Sequence, residues 1–436
     1  MSLQRTDVLI VGGGPVGVLL GALLARRGVD VQVWERRTAV PAGSRAIGIH
    51  PPSLDAMAEV GATERILAEG VRVAEGVAIS RRRVLGALSF ARASRTHPYV
   101  VTLDQHRTES ILRDRLREVA PDALCSGVTL TGLDRGRDHV DATGADEHGA
   151  PVTVRAAFVV GADGARSAVR ELLGIRSTGR DYPDSYVMGD FADPEPAARA
   201  SSALVDVGPD GVIESFPLPG GRRRYVALAG DDLEAPAWRP DAAPDPVAAL
   251  ALSTVVRART GAEPDPATCT MLSGFQVRRR AAERIGVGRV VLIGDAAHEI
   301  SPIGGQGMNL GWLDAAELAP LLADAVRSGA AGPFPPRAAA DAGRGARAAG
   351  RAEHGGGAAD RRGRAARPRG TAAGAAGAAD LGRAGAGVLD ALVVGPAARA
   401  ALPVRRPVAR PPGRARRRGR ATRRSPGGTA CGWAGR

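Results

Sequence analysis

Apolar runs that end abruptly in glycine recur at three distant places along the chain. Asp7 to Val11 is a β-rich run closed by Gly12-Gly13-Gly14. From Pro15 to Arg27 the apolar positions recur at helical spacing, Gly28 interrupts them, and Val29 to Trp34 resumes as an extended run. This pattern predicts a strand, a helix and a second strand. Phe158-Val159-Val160 runs into GADGARSAVRELLG, which predicts a turn at Asp163-Gly164 and a helix from Ser167 to Leu173. Arg289 to Ile293 leads into GDAAHEISPIGGQGMNLG, and a helical pattern follows from about Gly307 to Val326. Residues 181–275 carry short alternating runs and Pro/Gly turns, as in SFPLPGGRRRYVALAG, and predict a mainly β layer. No internal repeat is visible. Three strand-to-glycine junctions of this kind can meet at one edge of one sheet.

The periodicity fades after residue 330. Residues 331–436 are dominated by Ala, Gly, Arg and Pro, and such a segment cannot bury enough apolar surface to offset chain entropy. The formal charge of +13 sits there: the segment holds 22 Arg against 5 acids, which leaves 37 against 41 in the first 330 residues. The body is therefore mildly acidic, and nucleic acid is not an expected partner. Three readings fit the tail: an arginine-rich binding tail, a disordered extension, and an altered reading frame upstream of about residue 340, which is favoured because out-of-frame translation of GC-rich DNA yields this mixture. Cys125, Cys269 and Cys431 are odd in number and widely spaced, so neither a disulfide framework nor a zinc site is expected. The apolar N-terminus breaks at glycines without a cleavage pattern, and Val16 to Ala25 is well short of the roughly 20 residues of a membrane span. A cytoplasmic protein without a membrane span is expected.

Gly12-x-Gly14-x-x-Gly17 follows a predicted strand and opens a predicted helix, with Glu35 at the end of the next strand. That context makes it a dinucleotide fingerprint. Gly12 permits the tight turn, Gly14 lets backbone N–H groups approach a pyrophosphate, and Gly17 allows close packing of helix on strand, while the helix dipole favours the anion. Glu35 is placed to accept hydrogen bonds from ribose hydroxyls. The fingerprint alone does not separate NAD from FAD.

Two distal stretches bear on that choice. Gly161-Ala162-Asp163-Gly164-Ala165-Arg166-Ser167, with Val169 and Arg170, and Gly294-Asp295-Ala296-Ala297-His298, with Pro302 and Gly304-Gly305-Gln306-Gly307-Met308-Asn309, resemble the motifs of the FAD-dependent aromatic hydroxylases. These are single-component flavin monooxygenases of the para-hydroxybenzoate hydroxylase and polyketide hydroxylase type. The resemblance covers roughly residues 5–325. It implies an α/β fold: a Rossmann-like FAD-binding domain of the glutathione reductase type, drawn from residues 1–75, 100–180 and 276–330, with an inserted β-rich substrate domain from 76–99 and 181–275. It also implies site roles. Arg45, within Ser44-Arg45-Ala46, and Gln105 fall where the family contacts flavin. Asp163 joins the cofactor site, Asp295 holds the ribityl hydroxyls, and Pro302 turns the chain beside the flavin ring. Gly304, Gly305 and Gly307, followed by Met308 and Asn309, present backbone donors to the edge of the ring that becomes negative on reduction. The implied chemistry is reduction of FAD by NADPH or NADH, reaction with O2 to a flavin hydroperoxide, and hydroxylation of an aromatic, polyketide-like molecule.

Other positions are assigned more modestly. His298 is expected to be a packed or hydrogen-bonded side chain, and Arg166 to touch phosphate or a neighbouring carboxylate. No catalytic base stands out: Tyr182, Tyr186, His97 and Tyr225 are available, each expected to be structural. Arg222, Arg223 and Arg224 are read as a solvated hairpin in preference to contacts with a pyridine nucleotide or acidic substrate. Pro320 is expected to kink or end the last helix. Flavin halogenases are excluded, because no lysine and no W-x-W-x-I-P segment occurs. Flavin-dependent quinone- or isoprenoid-pathway oxidoreductases stay open, since they share SPIGGQG, and a non-catalytic nucleic-acid-binding protein led by the arginine tail is the rival from another class. Oligomeric state is not legible.

Overall fold

The computed structural model describes residues 4–40, 46–195, 201–208, 211–230, 233, 243–300 and 305–330. The expectations for Arg45, Pro302, Gly304 and the tail fall outside the described residues.

The strand Gln4–Val11 is the centre of the first sheet. It pairs in parallel with Pro151–Gly161 on one side and Val31–Glu35 on the other. Leu124–Ser126 extends the sheet in parallel beyond Val31–Glu35, and Val290–Leu292 does so beyond Pro151–Gly161. A parallel strand covered on both faces must be apolar throughout, and Val8, Leu9 and Ile10 are fully buried. Their side chains alternate between two cores. Val8 and Ile10 pack with Leu19, Leu112 and Trp312 from the helices Pro15–Ala25, Gln105–Val119 and Gln306–Ser328. Leu9 and Val11 pack with Val128, Leu130 and Val140, at the antiparallel ribbon of Thr129–Arg135 and Val140–Ala145. The α/β fold that the resemblance implies is thus present, and the three strands that end in glycine junctions lie in one sheet.

The second sheet is mostly antiparallel. Its order is His298–Glu299, Met271–Ala282, Ser177–Ala192, Arg222–Leu228, Gly211–Leu218, Ser202–Gly208, Glu75–Ser80 and Arg83–Ser89. Period-two alternation divides its two faces. Val187, Phe191, Ile213, Tyr225 and Ala227 meet Ala249, Leu252 and Val256 of the helix Pro246–Thr260. Glu214, Phe216, Arg224, Val226 and Met188 line a cavity.

Two expectations change. The segment read as a β layer also contains the helix Pro246–Thr260, capped by Asp245, whose side chain accepts from Val247 N at 2.9 Å, and closed by Gly261 at φ +79°. Ala249, Leu252, Ser253 and Val256 form its buried stripe. Pro320 does not end the last helix, which continues to Ser328. Its ring lies on the exposed side while Leu318, Ala319, Leu322 and Ala323 are buried, so packing offsets the lost backbone donor. Trp312 Nε1 also pins this helix to Pro15 O at 3.1 Å.

Restoring a donor at this exposed position should strengthen the helix. Pro320→Ala is expected to raise the unfolding free energy by about 1 to 3 kcal/mol, read as a higher urea midpoint at constant m. A lowered midpoint would contradict this account of the packing.

Candidate functional site

Parallel pairing brings the ends of Gln4–Val11 and Pro151–Gly161 to the same edge. Ala162 N donates to Val11 O at 2.7 Å, and Gly12 N donates to Trp34 O at 2.8 Å. Gly12 has φ of +108°, and a Cβ there would stand 2.3 Å from the Ala162 carbonyl oxygen. A Cβ on Gly17 would stand 2.0 Å from Gly12 O, whereas one on Gly14 would meet nothing within 4 Å. Gly12 and Gly17 therefore close the turn, and Gly14 leaves room in front of it.

Charged groups brace this turn from behind. Glu35 is buried; its Oε2 accepts from Gly13 N at 2.8 Å, and its Oε1 accepts from Arg37 N at 3.0 Å and Arg37 Nε at 2.8 Å. Burial pushes its pKa up, but the hydrogen bonds and charge of Arg37, with the Gly13 N–H, outweigh burial and hold it below the usual carboxylate range. Arg37 also lies 3.8 Å from Glu109, which accepts from Arg113 Nη2 at 2.9 Å, and the same Arg113 nitrogen donates to Gly13 O at 2.8 Å. Burial raises the Glu109 pKa against these cations.

The middle corner is tied to the late one. Asp163 Oδ2 accepts from Val169 N at 3.1 Å, while its Oδ1 is buried without a hydrogen-bond partner. Ser167 caps the short helix Ala168–Leu172 by accepting from Arg170 N at 3.0 Å. Arg170 then donates to Ala165 O at 2.8 Å and Ala296 O at 3.0 Å, joining the Asp-Gly corner to the Gly294–Ala296 turn.

Asp314 orders that last turn from inside the helix. One oxygen, Oδ2, accepts from Gly294 N at 2.9 Å and lies 2.7 Å from His298 Nε2. Burial lowers the His298 pKa, but the charge and hydrogen bond of Asp314 reverse this and raise it. His298 is thus a buried, hydrogen-bonded side chain, as expected. Asp295 lines the cavity with its side chain open to it, and the protein packed around it disfavours the charged form and raises its pKa, opposed by His298 and reinforced by Glu299. Asn309 straps the region: its Nδ2 donates to Gly305 O at 2.7 Å and Gly48 O at 2.9 Å, and its Oδ1 accepts from His50 N at 2.8 Å.

One cavity of about 720 Å³ unites these pieces. Gly12, Gly14, Glu35, Asp163, Arg166 and Asp295 line it, as do Gln105, Gly305, Gly307 and Met308. Gly17 and Asn309 stand behind its wall. The cavity continues to the second sheet, where Met188, Val205, Phe216, Val226 and Phe275 form an apolar wall around Glu214.

The arginine triplet is a correction. Arg222 donates to Asp104 at 2.7 Å, Arg223 to Asp193 at 2.8 Å and Ser215 at 2.9 Å, and Arg224 to both oxygens of Asp190 at 2.6 and 2.8 Å. Arg223 and Arg224 are almost fully buried, so the hairpin is not solvated there. Their partners lie about thirty residues upstream on the strand Ser177–Ala192 and just past its end, close only through strand register. Tyr182, Tyr186, Tyr225 and His97 are not among the cavity-lining residues. Tyr186 stacks on Phe275 at 5.5 Å, Tyr225 meets Phe191 edge-on at 6.2 Å, and His97 Nδ1 lies 2.7 Å from Asp55 Oδ1. Sequence reasoning missed Asp314 and Glu214. The signal for Glu214 was an acid inside the apolar run GVIESFPL; Asp314 carried none.

Among the described residues, no cluster of His, Cys, Asp or Glu suits a metal ion, and Cys125 and Cys269 are free thiols. Comparison with known proteins agrees with this geometry. The family described as "FAD binding domain" matches residues 5–334. A 6-methylpretetramide 4-monooxygenase from Streptomyces rimosus is 36% identical over 327 residues, which cover 74% of this chain and 56% of that protein. A rifampicin monooxygenase from Streptomyces venezuelae is 34% identical over 316 residues, 72% of this chain and 63% of its own. The chain thus spans less than two thirds of these curated relatives. The crystal structure of a ternary complex of aklavinone-11 hydroxylase with FAD and aklavinone superposes with a TM-score of 0.61 at 26% identity, covering 75% of this chain and 64% of that one.

The His298–Asp314 pair carries a pH signature. Because the folded His298 pKa is raised, its stabilisation is fully present below the unfolded value of about 6.5 and is lost as pH rises through the folded value. Urea melts from about pH 5 to about pH 9 should show this loss in the wild type and a flatter profile in Asp314→Asn. Identical profiles would contradict the coupling.

Proposed function

Because this chain belongs to the FAD-binding domain family, we propose that it is an FAD-dependent, NAD(P)H-consuming monooxygenase that hydroxylates an aromatic, polyketide-like small molecule. The observation that carries this reading is the single cavity running from three glycine-rich corners to an apolar sheet wall. Its shape suits an elongated cofactor with a ring system beside it.

The residues present fit FAD. Gly14 leaves open space at the start of a helix, where backbone N–H groups and the helix dipole favour a pyrophosphate. Glu35 is held ionised by Arg37 and lines the cavity, as an acceptor for ribose hydroxyls must. Asp163 keeps a buried oxygen without a protein partner. Asp295 faces the cavity and suits ribityl hydroxyls, while Gly305, Gly307 and Met308 leave backbone at its rim for the flavin edge. Gln105 lines the same space, and Asn309 acts by holding Gly48 and Gly305 in register. Arg45 and Pro302 keep the roles that the resemblance implies.

When bound, FAD supplies the redox and oxygen-transfer chemistry, with NADPH or NADH as electron donor and O2 as oxygen source. The chain's part is to orient the two molecules and exclude water. Met188, Phe216, Val226 and Phe275 present an apolar surface to an aromatic substrate. Residues 1–75, 100–180 and 276–330 are read as the cofactor part, and 76–99 with 181–275 as the substrate part. A cytoplasmic setting belongs to the same proposal; among the described residues no helix is long and apolar enough to cross a membrane.

Purified protein supplied with FAD should show a flavin visible spectrum and oxidise NADPH faster when phenols or polycyclic quinones are added. A colourless preparation that does not reconstitute would contradict the proposal. Asp295→Ala should weaken FAD retention by roughly tenfold, the loss of one or two cofactor hydrogen bonds, with an unchanged circular dichroism spectrum. Unaltered FAD stoichiometry under dilution would remove the role given to Asp295.

A further inference from the structure

On the substrate side of the cavity, one acid has no ion-pair partner among the described residues. Glu214 lies in the strand Gly211–Leu218, paired with Val205 on one side and Val226 on the other. Both neighbours line the cavity, as does Phe216 two residues along. The residue is only 4% exposed, and its Oε1 has no hydrogen-bond partner. Buried polar atoms are nearly always paired, so an unpaired one in a cavity wall points to a partner supplied by a ligand.

The surrounding charges leave Glu214 alone. On the adjacent strand, Arg224 is spent on Asp190, Arg223 on Asp193 and Arg222 on Asp104. Asp206, on the other adjacent strand, pairs in register with Ile213 and so belongs to the opposite face. From the short strand Val71–Val73 that packs nearby, Arg72 is placed over the Tyr99 ring at 5.2 Å. Across the cavity stand His50, Glu35, Asp163 and Asp295, with Arg36, Arg37 and Arg166. Burial alone pushes the Glu214 carboxyl up to about 8. Near neutral pH it is an O–H donor within an apolar wall, and an acid kept neutral in such a setting recognises an acceptor oxygen.

We propose that Glu214 is the substrate-recognising group of this wall, donating a hydrogen bond to a carbonyl or phenolate oxygen of a polycyclic aromatic molecule packed against Val205, Phe216 and Val226. The inference rests on the proposed reading of the cavity as a flavin hydroxylase site and adds a chemical requirement to it. A ring system with a keto or ionised hydroxyl oxygen satisfies the donor; the bare hydrocarbon leaves it unpaired.

The test uses FAD-loaded wild type, Glu214→Gln and Glu214→Leu, with 5-hydroxy-1,4-naphthoquinone and naphthalene as probes followed by perturbation of the flavin spectrum. The quinone should bind the Leu variant roughly tenfold more weakly near pH 7, the effect of one unpaired acceptor, while naphthalene binds both alike. Above about pH 8 the wild type should lose quinone affinity as the carboxyl ionises, whereas the Gln variant, which keeps an N–H donor and does not ionise, should not. Equal quinone affinity in wild type and Leu variant, or no quinone binding by the FAD-loaded wild type, would overturn the inference. FAD content should be the same in all three proteins; failure of the wild type to take up FAD would strike the proposed function instead. Independently of any ligand, the infrared carbonyl band of a protonated carboxyl should be present at neutral pH and absent from the Gln variant, and a wild type without it would also overturn the inference.

Discussion

Everything at this site depends on how closely two parallel strand ends approach. Ala162 crosses in front of Gly12 so tightly that no side chain fits between them. The parallel register of Gln4–Val11 with Pro151–Gly161 imposes that approach, and it places the fingerprint turn beside the Asp-Gly corner. Pairing of Val159 with Val290 on the far side of the same strand brings in the third junction. Three glycine turns separated by well over a hundred residues thus share one edge.

Charge is then used in two distinct ways. Around the turns it braces backbone: Glu35 and Arg113 hold the two sides of Gly13, Arg170 bridges two corners, and Asp314 holds Gly294 and His298 together. Each of these groups has at least one hydrogen-bond partner, which restrains its geometry. Facing the cavity, by contrast, Asp163 keeps an oxygen without a protein partner, and so does Glu214. Asp163 and Glu214 thus keep polar capacity at the cavity wall that a ligand can use.

Much of the frame was legible in the sequence because its determinants are local. Strand, glycine turn and helix occupy consecutive residues, so Gly12, Gly14 and Gly17 could be located from spacing, and the Asp163 and Asp295 corners from the same strand-to-glycine pattern together with the family resemblance. The cavity that joins them agrees with that reading, and the family match covers the same span. What escaped depends on register between distant strands. Arg223 and Arg224 read as a charge run suited to solvent, yet Asp193 and Asp190 meet them inside the sheet. Glu214 owes its character to Val205 and Val226 on neighbouring strands, which its own run does not reveal. The helix Pro246–Thr260 was legible in principle from its Asp-Pro start and Gly261 stop, but its alanine-rich stripe contrasts weakly with its surroundings. Pro320 shows the converse: the helix continues past it, with Leu318, Ala319, Leu322 and Ala323 buried around it.

Hydrogen exchange measured by mass spectrometry, with and without FAD, tests the central claim most directly. If the three corners surround one cofactor, FAD should slow exchange together in the peptides spanning Gly12 to Val18, Asp163 to Val169 and Asp295 to Met308, with the same dependence on FAD concentration. Protection confined to one of these peptides, or appearing at different FAD concentrations in each, would contradict the account.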